Sequence, residues 1–240
     1  MAGHSKWANI KHKKERADAK KGKVFSRVTK EIITAVKLGG SDPKTNARLR
    51  LVLQKAKAVN LPQDNIERNI KKATSATASD YADVMYELYG HGGVGILCEG
   101  LTDNKNRTAS DLRIATNKRG GVIASPGAVS YQFERKGVIQ VAKEGFSSDT
   151  LFMLVSDLGA EDFEEIDDSF IVTTAPEALY TIKEALEKEN CRCLEAELEM
   201  IPKVWVECDA EAKEKNLALL EWLENLEDID IVTHNMKLEE

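Results

Sequence analysis

The chain has 240 residues, and at about 150 residues per domain more than one compact unit is expected. Its composition is 42% hydrophobic and 31% charged, and no apolar run approaches the roughly 18 residues of a bilayer-spanning helix, which excludes a helical membrane protein. The net charge of −6 hides a division: residues 1–75 carry 19 Lys and Arg against 6 Asp and Glu, a net of +13, whereas residues 76–240 carry 15 against 34, a net of −19. Local potential decides which polyanion approaches, so function is expected first in the basic third.

The chain opens Met1-Ala2-Gly3-His4-Ser5-Lys6-Trp7 and continues into lysines with no apolar stretch, so no secretory signal is expected. The cysteines Cys98, Cys191, Cys193 and Cys208 are too few for a disulfide scaffold, and none forms a Cys-x-x-Cys pair. Reduced thiols in a cytoplasmic protein are the expectation.

Residues 7–21 are rich in Ala and Lys without strand alternation and predict a helix. Phe25, Val28, Ile32, Ala35 and Val36 recur at three- and four-residue steps on a helix expected to end at Gly39-Gly40, where glycine supplies a left-handed cap. Ser41-Asp42-Pro43 reads as a cap with a first-turn proline for a helix carrying Leu49, Val52, Leu53 and Ala56. Pro62 opens a last helix with Ile66, Ile70 and Ala73, and the small polar run 74–79 is a linker.

Beyond it, strands are predicted at 84–89 and 94–101 around the turn Tyr89-Gly90-His91-Gly92-Gly93-Val94-Gly95, then a helix over 107–118 and a strand over 128–133. That glycine run is not a phosphate loop, because a second strand and not a helix follows it; His91 is a turn residue with no catalytic partner in its local motif. Residues 137–201 give strand 138–142, helix 148–158, strands 162–166 and 170–173, helix 176–189 and strand 193–200, one βαββαβ unit of ferredoxin-like order. A strand at 204–208, a helix at 212–226 and a strand at 229–234 complete the outer sheet. The predicted fold class is α+β: an N-terminal helical bundle (1–76), a discontinuous α+β domain (80–135 and 203–238) and an inserted ferredoxin-like domain (136–202).

Cations interleaved with an indole in the opening segment suit a polyanion with exposed bases. Lys13, Arg16, Lys20, Lys23, Arg27 and Lys30 step by three and four, so one uninterrupted helix would carry all six on one face. The predicted nucleic-acid-binding residues are Lys6, Trp7, Lys11, Lys13, Lys14, Arg16, Lys20, Lys21, Lys23 and Arg27. Trp7 has a competing role as a buried staple of the first helix, since indoles are usually buried. Asn104, Lys105, Asn106 and Arg107, at the junction of a strand and a helix, form a secondary contact candidate, against which stands the simpler role of an N-cap. Cys191-Arg192-Cys193 lacks further ligands at zinc spacing, and the many acids of the second half fall in runs and on helix faces, so no metal site, cofactor or catalytic set is predicted.

The segments Met1-Ala2-Gly3-His4-Ser5-Lys6-Trp7-Ala8-Asn9-Ile10-Lys11, Ala35-Val36-Lys37-Leu38-Gly39-Gly40 and Leu101-Thr102-Asp103-Asn104-Lys105-Asn106-Arg107-Thr108 together closely resemble the YebC/TACO1 family. That family joins bacterial probable transcriptional regulators to a mitochondrial branch of translational activators. The resemblance runs over nearly the full length and implies a three-domain protein without enzymatic activity. Its partner would be DNA, through a cytoplasmic regulator, or else ribosomal or transfer RNA, through a ribosome-associated translation factor that relieves stalling at sequences such as proline runs.

Overall fold

A computed structural model describes residues 21–75, 79–166 and 168–238 of the chain. Two compact units divide it: one holds Tyr131–Trp205, and the other holds the described residues up to Ser130 together with Val206–Lys237.

The second of these begins with three helices, α1 (Lys21–Gly39), α2 (Ala47–Ala58) and α3 (Gln63–Ala73). Their stripes meet in a core in which Ile32, Ala35, Leu49 and Ala56 are fully buried, with Val28, Val52 and Ile66 beside them. Burial of that kind stabilises by roughly 1.5–3 kcal/mol for each large aliphatic side chain, which short isolated helices need. Helix α1 ends as expected, with Gly40 at φ 84° donating its N–H to the Val36 carbonyl. Helix α2 does not start at Ser41. Its cap is Asn46, whose buried amide accepts from the Leu49 N–H at 3.0 Å and donates to the carbonyls of Ala35 (2.8 Å) and Gly40 (2.7 Å). One side chain thus closes α1 and opens α2, and Asp42-Pro43 is left in a turn.

The sheet of the same unit orders β3 (Val122–Ile123), β1 (Ala82–Tyr89), β2 (Gly95–Thr102) and β8 (Ile231–His234), all antiparallel. Helices α4 (Lys105–Arg119) and α7 (Ala210–Asn225) pack together beside it, burying Leu112 and Ala115 of one and Leu219, Leu220 and Leu223 of the other. The glycine-rich segment is a turn between β1 and β2, with Gly92 and Gly93 at positive φ. Fully buried Asn216 of α7 clamps it, accepting from the His91 N–H (2.8 Å) and donating to the His91 carbonyl (3.0 Å).

Two expected strands are absent. Residues 128–132 form a turn that runs into a short 3-10 helix (Ser130–Gln132), because the buried Glu87 carboxylate of β1 accepts from the N–H groups of Gly127 (2.6 Å), Val129 (2.6 Å) and Ser130 (2.8 Å), so these donors need no neighbouring strand. Residues 204–208 make only a parallel bridge from Val206 to Met236.

The other unit contains β4 (Phe133–Ala142), α5 (Ser148–Asp157), β5 (Asp162–Glu165), β6 (Ser169–Thr174), α6 (Leu179–Lys188) and β7 (Cys193–Pro202). Its antiparallel sheet runs β5-β6-β4-β7, the ferredoxin-like arrangement, over a core of Ile139, Val141, Leu151, Phe170, Val172, Leu179, Ile182 and Leu186. The fold is α+β, with a helical bundle and a ferredoxin-like module inserted into a second α+β sheet.

Candidate nucleic-acid interface

Lys6, Trp7, Lys11, Lys13, Lys14, Arg16 and Lys20 lie outside the described residues, as does the side chain of Lys21, the first residue of α1. The basic stripe can be followed from Lys23 onward, and there Lys23 and Lys30 face other parts of the protein.

Lys23 donates to the Glu224 carbonyl and, at 2.7 Å, to that of Leu226. These are carbonyls at the C-terminal end of α7, which lack helical partners and carry the negative end of the helix dipole, so an ammonium is favoured there. One turn on, Arg27 pairs with Glu31 at 3.1 Å. Lys30 is only 7% exposed; it donates to the Leu101 (3.0 Å) and Glu227 (3.1 Å) carbonyls and lies 3.9 Å from the Asp228 carboxylate. The three- and four-residue spacing is realised, but at Lys23 and Lys30 it serves contacts with distant parts of the chain. Lys30, buried, is thereby withdrawn from the expected ridge, and Lys23 is engaged at the end of α7. Spacing alone does not tell a solvent stripe from an inward one when the inward acceptors are backbone carbonyls of a segment some 200 residues away.

Asp228 is the centre of this contact. Its oxygens accept from the Arg107 guanidinium at 2.7–3.0 Å and from the Thr108 hydroxyl at 2.9 Å, and Arg107 also reaches Asp103 at 2.9 Å. Burial alone would raise the Asp228 pKa, but the hydrogen bonds from Arg107 and Thr108 outweigh it and hold the carboxyl below its ordinary value. The same bonds raise the pKa of Arg107, which stays charged. Gly100 lies against this segment; a Cβ there would collide with the Asp228 carbonyl.

The secondary candidates therefore separate. Asn104 is the N-cap of α4, accepting from the Arg107 N–H at 3.0 Å, and Arg107 is held by carboxylates. Lys105 and Asn106 are exposed on the first turn.

Further cations stand on the outward surfaces of the bundle. Arg50 and Lys57 of α2 and Lys71 and Lys72 of α3 are exposed, and none has an ion-pair partner among the described residues. Lys55 and Arg48 are drawn to Glu31 (3.4 Å) and Asp83 (3.8 Å). The apolar periodicity of α2 and α3 marks their buried stripes, so these outward positions were legible as its complement.

His91 donates from Nε2 to the Arg119 carbonyl at 2.9 Å, which anchors the turn. Burial raises the pKa of all four cysteines, that of Cys193 to about 11, so these thiols stay protonated at neutral pH. Among the described residues no group of three or more His, Cys, Asp or Glu could hold a metal ion, and no helix is long and apolar enough to cross a membrane.

Comparison with known proteins covers nearly all of this architecture. Residues 5–76 match the family model described as the TACO1/YebC protein N-terminal domain, and residues 81–236 match that described as the TACO1/YebC second and third domain. The chain is 60% identical to a "Probable transcriptional regulatory protein" of Protochlamydia amoebophila (strain UWE25), over 100% of this chain and 98% of that protein. It is 57% identical to a protein of the same description from Chlamydia pneumoniae, over 98% of this chain and 100% of the other. A crystal structure of a conserved hypothetical protein from Aquifex aeolicus superposes with a TM-score of 0.84 at 41% identity, covering 98% of this chain and 97% of that one. With both family models matched and the fold shared, the chain belongs to the YebC/TACO1 family.

Proposed function

We propose that this chain is a nucleic-acid-binding regulator of gene expression whose basic helical domain (1–76) grips the phosphate backbone of duplex DNA. The acidic portion is carried by the α+β domain (80–135 with 203–238) and the inserted module (136–202). The observation that carries the reading is the charge division, +13 over residues 1–75 against −19 over the remainder. The relatives' description as probable transcriptional regulatory proteins supports the choice of DNA. Lys6, Lys11, Lys13, Lys14, Arg16, Lys20 and Lys21 neutralise phosphates, Trp7 stacks or staples the first helix, and Arg50, Lys57, Lys71 and Lys72 widen the positive surface. Lys23 ties α1 to the end of α7, while Arg27, part-exposed and paired with Glu31 of its own helix, joins the phosphate-neutralising set. No enzymatic step or cofactor belongs to this reading, and the protein acts in the cytoplasm.

The test measures duplex-DNA affinity across a salt series and, in the same buffer, sedimentation with ribosomes. Replacing Lys13, Arg16 and Lys20 by Ala is expected to flatten the dependence of log K on log salt by about 0.9 for each lost phosphate contact. An unchanged slope removes these residues from the interface. Weak, sequence-indifferent DNA binding beside stoichiometric ribosome association would transfer the function to translation.

A further inference from the structure

The acidic part of the chain contains one helix that departs from its surroundings. Helix α4 has five cations, Lys105, Arg107, Arg113, Lys118 and Arg119, and a single acid, Asp111. Its neighbour α7, beside the same sheet, has the opposite balance, four acids (Glu211, Glu214, Glu221 and Glu224) against two cations, Lys213 and Lys215. General solubility does not account for the difference, since the two helices share one solvent and one unit.

The arrangement around α4 is more specific than its charge. Thr108, Leu112, Ala115 and Thr116 are buried and fix which side faces the protein. The opposite side exposes Asn106, Ser110, Arg113 and Asn117, at positions i, i+4, i+7 and i+11, which a helix aligns in one row. Asp111 lies off that row. Beside it Ile114 is 48% exposed, an apolar group within a polar face. Lys105 and Lys118 stand exposed near the two ends of the helix, and neither they nor Arg113 has an ion-pair partner among the described residues. Arg107 is excluded from this set by Asp228 and Asp103, and Arg119 by its position over the Trp222 ring, 5.3 Å from the centroid.

Amide, hydroxyl and guanidinium groups in one row, with an adjacent apolar contact and a cation near each end, match the edge of duplex DNA. Asn pairs with adenine and Arg with guanine in the major groove, an apolar side chain meets the thymine methyl, and lysines reach the flanking phosphates. A 15-residue helix is about 22 Å long, and a groove about 12 Å wide admits it lengthwise. We infer that the outward face of α4 enters the major groove and reads base edges through Asn106, Ser110, Arg113 and Asn117, while Lys105 and Lys118 hold the backbone. This rests on the DNA-binding reading above and adds sequence readout to it.

The full-length protein is used to enrich sequences from a randomised duplex library, and affinities for an enriched and a scrambled duplex are then measured by fluorescence anisotropy. Wild type is expected to prefer the enriched duplex by at least about tenfold. Arg113→Ala and Asn117→Ala each cut that preference by roughly tenfold, with the thermal midpoint unchanged because both side chains are exposed. Lys118→Ala leaves the preference intact and lowers the salt slope by about 0.9. Preference retained in both Arg113→Ala and Asn117→Ala overturns the inference, as does a wild type that binds duplex DNA and enriches no sequence. A wild type that binds no duplex DNA, or only RNA, overturns the DNA-binding reading itself and is recognised before any variant is made.

Discussion

Two carboxylates do much of the local organisation, and they do it in different ways. Asp228 joins side chains of α1 and α4 through Lys30, Arg107 and Thr108, whereas Glu87 closes the 127–130 turn chiefly on backbone N–H groups. Asp228→Ala removes the buried acceptor shared by Arg107 and Thr108, leaving Arg107 with Asp103 and Thr108 with Thr102 and the Asn104 carbonyl. It is expected to cost about 2 kcal/mol in urea unfolding, at the low end for a broken buried pair because Arg107 is 42% exposed. Burial acts to raise the Glu87 pKa, but the hydrogen bonds from Gly127, Ser130 and Val129 win, and the carboxyl sits below its ordinary 4.5. A lowered pKa contributes stability that is complete above the unfolded value and is lost as pH falls through the folded one. Glu87→Gln should therefore be less stable than wild type by about 1–3 kcal/mol at pH 7, with the gap narrowing toward pH 3. A gap that stays constant across that range would show that the charge of Glu87 contributes nothing.

At the scale of elements, α1 has two jobs that its sequence superimposes. Its apolar stripe builds the bundle core, and its cations at Lys23 and Lys30 satisfy carbonyls at the end of α7 and in the segment after it. Lys23→Ala and Lys30→Ala are accordingly expected to lower the unfolding midpoint while leaving the salt slope of DNA binding unchanged. Variants at Lys13 and Lys20 should do the reverse. A salt slope that falls on removing Lys23 would return that residue to the phosphate-facing set. The elements α1 to α7 and β1, β2 and β4 to β8 were legible, the helices from their apolar stripes and the buried strands β2 and β6 as short apolar runs bounded by turn residues. The two-residue β3 was not, since it is too short to carry a period, and residues 128–132 read as strand only because their real hydrogen-bond partner is the side chain of a residue 40 positions earlier.

For the molecule as a whole, the inserted module explains how a chain can leave one sheet and return to it. Phe133 at the start of β4 lies opposite Pro202 at the end of β7, so entry and exit are neighbours on adjacent antiparallel strands. Its core is built from its own strands and helices. An excised fragment of residues 131–205 is therefore expected to unfold in one cooperative thermal transition. A fragment without that transition would mean that the module depends on the rest of the chain.

The sequence by itself determined the fold class, the insertion and the charge division, because these depend on periodicity and composition, which are properties of the chain read in order. Family membership was legible for the same reason, in the contiguous segments at residues 1–11, 35–40 and 101–108. Only the tertiary structure decided which cations face protein and which face outward. Lys23, Arg27 and Lys30 have the spacing of a binding ridge, yet Lys23 and Lys30 meet acceptors far away in the chain. The outward row on α4 became visible only once Thr108, Leu112, Ala115 and Thr116 were seen to be buried. A charge has no preference of its own between an ordered carbonyl and a phosphate; what the fold brings within 3 Å settles it.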